Sequence, residues 1–189
     1  IDLKNPCPAC ALSKAQGIGH KKERPQHLKS KKYGDKYCFD FTGTYPESYL
    51  GNLWCLSCID DYAGWVANYP CRYKSDCPDV LQKAIRDLGR PHTVRSDNAP
   101  EFKGDKSEWR KACDNQNPPV ANEYSQPYEP PTNGKIERWN RTSVGAIRSN
   151  LVGIDKKLWD WCAKYVAYIW NRLHRPGRKS PYELRFNRK

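Results

Sequence analysis

The alternation of apolar and polar residues predicts a series of short strands and helices beginning near residue 36. Residues 37–42 alternate with period two, and residues 52–59 form a nearly continuous apolar run of strand length. A turn-like Asp-Asp-Tyr-Ala-Gly segment then leads into a third candidate strand at 65–69. Three strands joined by such short connections are expected to pair antiparallel.

The next segment predicts a helix at 78–88, whose apolar residues recur at helical spacing and which ends at Gly89. Residues 92–96 read as a fourth strand. A helix between two strands is typical of a crossover connection, so the fourth strand is expected to pair in parallel.

The remaining chain predicts a short helix at 106–113, a weak strand at 120–124 and a proline-rich stretch at 126–132. Helices are expected after Asn133 and over 156–174. The order β-β-β-α-β-α-β-α-α predicts an α/β fold, with a mixed five-stranded sheet of three antiparallel and then parallel strands and helices on both faces.

Charge is concentrated at the two ends of the chain. The net charge is +12, of which residues 1–32 contribute +6 and residues 172–189 contribute +6. A neutral body with basic flanks favours a phosphate-rich partner, although a solvated basic surface is the simpler alternative. No apolar run is long enough to span a membrane, and the sequence starts without a signal-like segment. The absence of methionine predicts a fragment or a proteolytically processed product.

Three carboxylates occupy positions that favour chemistry. Asp40 lies mid-strand, where burial is costly unless the group is paired or metal-bound. Asp97 follows the fourth strand at its carboxyl end, where ligands bind in open α/β sheets. Glu137 falls in the first turn of a helix. If they converge, the three acids form a cage suited to two divalent cations.

Each acid also has a purely structural interpretation. Asp40 can pair with a buried arginine, and Asp97 can form an Asx-turn or cap a helix. Glu137 can be the i,i+4 partner of Arg141 on a helix surface. The joint occurrence of all three acids favours the functional interpretation.

The motifs around these acids resemble those of retroviral-type integrase cores. Arg-Ser-Asp-Asn-Ala-Pro-Glu-Phe at 95–102 is similar to their second-aspartate motif, and Pro-Thr-Asn-Gly-Lys-Ile-Glu-Arg at 131–138 to their glutamate motif. Ile-Asp-Asp-Tyr-Ala at 59–63 and Ser-Pro-Tyr-Glu-Leu at 180–184 resemble segments of copia-type LTR-retrotransposon integrases. The resemblance extends over residues 7–184.

This resemblance implies an RNase H-like fold and a D,D,E triad. Asp40 would bridge two Mg²⁺ or Mn²⁺ ions, while Asp97 and Glu137 would each complete one metal site. One ion would activate water and then a DNA 3′-hydroxyl, and the other would stabilise the leaving oxygen. Two departures are Ala99, where the family usually has glycine, and the 39 residues between Asp97 and Glu137, a longer spacing than usual.

Asp60 and Asp61 are rival candidates for the first acid. Both lie in the predicted turn, whereas the first aspartate of the family lies on the preceding strand. We therefore expect them to hydrogen-bond the turn backbone.

The cysteines suggest one partial metal site. Cys7 and Cys10 form a CxxC, but His20 and His27 miss the spacing of a zinc finger. The resemblance implies instead the last two ligands of an HHCC zinc module, with Zn²⁺ bound only if upstream histidines are present; two ordinary thiols are the alternative. Cys55 and Cys58 are expected to point to opposite faces of a strand and to pack in the core.

Basic and amide residues beside the acids favour contact with DNA. Lys135, Arg138 and Arg141 flank Glu137 at about one-turn intervals, and Asn98 and Asn133 offer hydrogen bonds to phosphates. A solvated helix face is the alternative.

The sequence therefore predicts the end of a zinc module and a basic linker at 1–32, a catalytic core at 33–175 and a basic tail at 176–189. The resemblance implies metal-dependent 3′-end processing and strand transfer on double-stranded DNA, from element ends to target DNA, by a nuclear homo-oligomer. The alternatives are a catalytically inactive or domesticated nucleic-acid-binding remnant and an RNase H-type nuclease.

Overall fold

A computed structural model describes residues 29–104, 107–125, 133–174 and 177–188. The zinc module predicted within 1–32, with Cys7 and Cys10, lies almost entirely outside the described residues. No helix in the described ranges is long and apolar enough to cross a bilayer.

Five strands form one mixed sheet in the order β3-β2-β1-β4-β5. The strands are β1 Lys36–Gly43, β2 Trp54–Asp60, β3 Val66–Cys71, β4 Thr93–Ser96 and β5 Ala121–Tyr124. β1 pairs antiparallel with β2, and β2 with β3, whereas β4 is parallel to both β1 and β5. This arrangement confirms the predicted mixed sheet, including the crossover that precedes β4.

Five α-helices connect and cover these strands. They are α1 Cys77–Leu88, α2 Glu108–Asp114, α3 Gly134–Asn150, α4 Trp159–Arg172 and α5 Pro181–Phe186. Helix α5 lies within the stretch predicted as a basic tail, and it was missed because it is only six residues long. Its sequence signal is a capping box, in which Ser180 and Glu183 bond each other's backbone N–H groups.

Two apolar cores lie on opposite faces of the sheet. Phe39 packs with α1 and α2 on one face, and Cys38 packs with α3 and α4 on the other, as the period-two alternation of β1 requires. Cys55 and Cys58 also belong to different cores, which confirms that they do not face one metal. The helices thus cover both faces, as predicted.

A buried amide fixes α3 and α4 against the sheet. The Asn68 side chain on β3 accepts hydrogen bonds from Trp139 Nε1 at 3.1 Å and Ser57 Oγ at 2.9 Å. Its Nδ2 donates to Ser143 Oγ at 3.0 Å and to the Ala163 carbonyl at 2.9 Å. Because all of these groups are buried, the network sets one position of α3 on the sheet.

The edge strand β3 is closed by side chains from α4 and α5. Asn171 of α4 imitates a neighbouring strand, since its amide exchanges two 2.8 Å hydrogen bonds with the Val66 backbone. The Arg185 guanidinium of α5 lies 4.4 Å from the Trp65 ring centre and 4.9 Å from that of Tyr33. These contacts join the segment 177–188 to the edge of the sheet.

We expect Asn68→Ala to lower the free energy of unfolding by about 2–4 kcal/mol, because it strands several buried donors and acceptors at once. Urea unfolding followed by circular dichroism measures the loss. Asn150→Ala is the matched control, since the Asn150 amide bonds the Ala146 carbonyl on the exposed side of α3. An equal effect of the two substitutions would contradict a central role for Asn68.

Candidate active site

The sheet register brings Asp40 and Asp97 side by side. Cys38 on β1 is the parallel partner of Arg95 on β4. Two residues further along both strands, the same register places Asp40 abreast of Asp97, at the spacing of neighbouring strands. Asp40 shares its face with Cys38, which packs against α3 and α4. The two aspartates therefore lie on the sheet face that carries α3.

Asp97 directly follows the last residue of β4. One of its oxygens, Oδ1, accepts a hydrogen bond from the Ala99 backbone N–H at 3.1 Å. This Asx-turn is the structural alternative foreseen for Asp97, and it occupies only one carboxylate oxygen. The turn and a role as ligand are therefore compatible.

Helix α3 brings the third carboxylate to the same face. Ile136 and Trp139 are buried in the core beneath α3, while Glu137 in its first turn is exposed. One turn after Glu137, Asn140 Nδ2 donates a 2.9 Å hydrogen bond to Asp40 Oδ2. Sequence reasoning did not single out Asn140; the available signal was its i+3 spacing from Glu137.

The electrostatics of Asp40 show that the three acids influence one another. Burial raises the pKa of Asp40 to about 6, helped by the negative charges of Asp97 and Glu137 and opposed by the Asn140 hydrogen bond. The described residues nevertheless contain no group of three histidine, cysteine, aspartate or glutamate side chains placed to hold a metal ion. The three carboxylates thus share one electrostatic site but are not drawn together into a coordination sphere.

Two amide oxygens add to the acceptors near these acids. Asn133 Oδ1 and Asn140 Oδ1 are buried and have no hydrogen-bond partner among the described residues. Buried acceptors without a donor are unusual, and they attract a cation or its water. The donor set of carboxylate and amide oxygens is the kind that Mg²⁺ and Mn²⁺ prefer.

The two rival aspartates have structural partners. Asp60 accepts hydrogen bonds from the backbone N–H groups of Gly34 and Ala63, which confirms its predicted role at the turn. Asp61 reaches further along the chain, since its Oδ1 pairs with Lys135 Nζ at 2.7 Å and its Oδ2 accepts from Ser30 Oγ at 2.8 Å.

The predicted DNA contacts are placed in different environments. Arg138 and Arg141 are exposed on α3, whereas Lys135 forms the ion pair with Asp61. Asn98 is exposed and bonds the Ser125 carbonyl, and Asn133 is buried at the start of α3. Contact of these side chains with DNA stays a prediction.

A cavity of about 840 Å³ lies beyond the acids, between the end of β1 and the C-terminal half of α3. Its lining starts at Thr42 and includes Val144, each further along its element than the acids. None of the three carboxylates lines it, so the candidate site is an open surface rather than a closed pocket.

Comparison with known proteins supports the fold and gives distant relatives. No protein-family model matches the chain. The chain is 26% identical over 197 aligned residues to the Gag-Pol polyprotein of Woolly monkey sarcoma virus, covering 97% of the chain and 11% of that polyprotein. It therefore spans about a tenth of the length of this curated relative.

The described fold is that of retroviral integrase catalytic cores. The human T-lymphotropic HTLV-2 integrase catalytic core in complex with magnesium, in its dimeric form, superposes with a TM-score of 0.62 at 17% identity, covering 82% of this chain and 97% of that one. An intasome of simian T-cell lymphotropic virus in complex with PP2A regulatory subunit B56 gamma gives 0.65 at 20% identity, covering 95% and 63%. The predicted RNase H-like sheet with helices is thereby confirmed.

We expect Asp40→Asn to stabilise the protein in a pH-dependent manner. Because the folded-state pKa of Asp40 is raised to about 6, ionisation opposes folding; the penalty is absent below about pH 4 and complete above about pH 7. In chelator-containing buffer at pH 8, the substitution should raise the free energy of unfolding by about 1–3 kcal/mol. Urea unfolding at pH 4 and pH 8 measures the difference, and an equal effect at both would contradict the assignment.

Proposed function

We propose that this chain is the catalytic core of an integrase, which joins DNA strands by metal-dependent transesterification. The observation that carries the proposal is the shared electrostatic site of Asp40, Asp97 and Glu137, in which two neighbouring carboxylates help raise the pKa of the third. The likeness to integrase cores in fold supports it. Because such folds host several chemistries, the acids carry more weight than the topology.

The acids fit a divalent cation better than they fit one another. Asp97 and Glu137 both add negative charge at Asp40, and that repulsion is relieved when a cation is shared between them. Asp40, Asp97 and Glu137 would hold two Mg²⁺ or Mn²⁺ ions, with Asn140 keeping Asp40 in place through its 2.9 Å hydrogen bond. When bound, these ions supply Lewis-acid activation of the nucleophile and charge stabilisation of the leaving oxygen.

The proposed reaction is an in-line displacement at a DNA phosphodiester. The oxygen of water, and later of a DNA 3′-hydroxyl, forms a bond to phosphorus and loses its proton, while the bond from phosphorus to the 3′ oxygen of the attacked strand breaks and that oxygen gains a proton. One phosphodiester is exchanged for another in the joining step, so no nucleotide cofactor is consumed. The open surface around the acids leaves room for a duplex.

Exposed positive charge supports double-stranded DNA as the substrate. Arg138 and Arg141 lie on the exposed side of α3, one turn or less from Glu137. Arginines at this distance can hold the phosphates on either side of the reacting one, without reading bases. The net charge of +12 favours the same partner.

We predict that Glu137→Gln abolishes Mg²⁺-dependent strand joining, with a loss of at least about 100-fold, but leaves DNA affinity within about twofold. A gel assay on labelled oligonucleotide ends measures joining, and fluorescence anisotropy measures binding. Glu108→Gln is the control, because Glu108 is another exposed glutamate in the first turn of a helix and pairs only locally with Lys111.

Joining by Glu137→Gln at the rate of the unsubstituted protein would contradict the triad. Calorimetric titration with Mg²⁺ separates an active core from an inactive nucleic-acid-binding remnant, since the remnant predicts no specific site. Cleavage confined to RNA–DNA hybrids would indicate an RNase H-type nuclease instead.

We also propose that the chain self-associates through α4, with a second copy as the partner. Trp161 and Tyr165 lie one turn apart on α4 and are 52% and 56% exposed, although most aromatic residues of the chain are buried. Tyr168 continues the same stripe. An exposed aromatic stripe on one helix is typical of an interaction surface, and the HTLV-2 core forms a dimer.

We expect Tyr165→Glu to lower the average mass in sedimentation equilibrium towards that of a single chain, because the substitution buries a carboxylate in any interface formed by α4. Val152→Glu is the control, since Val152 is 79% exposed but lies outside α4. A monomeric parent protein, or no effect of Tyr165→Glu, would exclude this interface.

A further inference from the structure

The buried carboxylate of Asp61 connects three separate parts of the chain. Asp61 is only 3% exposed and follows the last residue of β2. Its Oδ1 pairs with Lys135 Nζ at 2.7 Å, its Oδ2 accepts from Ser30 Oγ at 2.8 Å, and its backbone N–H donates to the Lys36 carbonyl at 2.9 Å. The Lys135 ammonium also donates to the Asp61 carbonyl oxygen. The turn after β2 is thereby joined to the segment before β1 and to the first turn of α3.

Helix α3 needs such a connection because its own N-terminus is weakly fixed. The N-cap residue Asn133 makes no side-chain capping hydrogen bond. Lys135 places a positive charge in the first turn, where the helix dipole disfavours it. The Asp61 carboxylate compensates that charge, and it anchors the turn to the rigid end of β2.

The anchored turn is the one that carries the proposed catalytic glutamate. Lys135 and Glu137 lie on either side of Ile136, whose side chain is fully buried in the core. Ile136 fixes the rotation of the first turn, and the Asp61–Lys135 pair fixes its height above the sheet. Together they determine how far the Glu137 carboxylate lies from Asp40 and Asp97.

We propose that Asp61 is a positioning residue for Glu137, acting through Lys135. This inference rests on the proposed function, and it gives Lys135 a role different from contact with a DNA phosphate. The two roles have opposite consequences. Removing the charge of Asp61 releases Lys135, which would strengthen binding if Lys135 contacts DNA, but would misplace Glu137 if the pair positions α3.

The test uses Asp61→Asn, Lys135→Gln and the double variant in the full chain. We expect each single substitution to raise the Mg²⁺ concentration for half-maximal strand joining by about 10-fold or more, as for other residues that orient metal ligands. The double variant should be no worse than either single one, because both remove the same interaction. Lys111→Gln, which breaks the exposed Lys111–Glu108 pair on α2, is the control.

Hydrogen exchange gives a readout that is independent of activity. The Glu137 N–H bonds the Asn133 carbonyl at 3.1 Å, and exchange at residues 137–141 should be faster in both single variants, with the amides of β2 unchanged. Opposite effects on DNA affinity, stronger for Asp61→Asn and weaker for Lys135→Gln, together with unaltered Mg²⁺ dependence, would overturn the proposal. If the unsubstituted protein joins no DNA strands, the proposed function fails, whereas unchanged exchange in both variants contradicts the positioning role itself.

Discussion

The position of α3 on the sheet is the constraint on which the candidate site depends. Asp40 and Asp97 are set by strand register, but Glu137 and Asn140 come from a helix that packs across the sheet. Its position is determined by the Asn68 amide, which bonds Trp139 and Ser143 on α3. A buried polar network tolerates few alternative arrangements, whereas apolar contacts alone tolerate sliding. The amide therefore secures the geometry of residues well away from it.

Placing carboxylates together lowers the stability of the fold and creates a binding site at the same time. Ionised Asp40 opposes folding, since burial and the charges of Asp97 and Glu137 raise its pKa to about 6. Perturbed carboxyl groups of this kind cluster at functional sites, although structural ion networks also produce them. A divalent cation would convert the repulsion into binding free energy, and the stability of the protein should then depend on the metal.

The strands and their pairing were predictable because apolar alternation and turn residues determine them locally. Period two placed Asp40 on the face of Cys38, and a helix before β4 required a parallel pair. Asn140 and the Asp61–Lys135 pair were not predictable, since they join residues distant in sequence whose types are common on helices and in turns. Helix α5 escaped prediction because six residues carry too little periodicity.

A neighbouring cluster on the same strands shows that the unpaired charge of the acids is not a general property of this sheet face. Glu123 on β5 accepts Lys36 Nζ at 2.7 Å and the Arg95 guanidinium at 2.6 Å, and these hydrogen bonds hold its pKa below the ordinary value despite partial burial. Along the same two strands, Asp40 has an amide as its hydrogen-bond donor, and its pKa is raised. The fold compensates one carboxylate with two cations of its own and leaves the next set to be compensated from outside, which is the arrangement that a metal-dependent reaction requires.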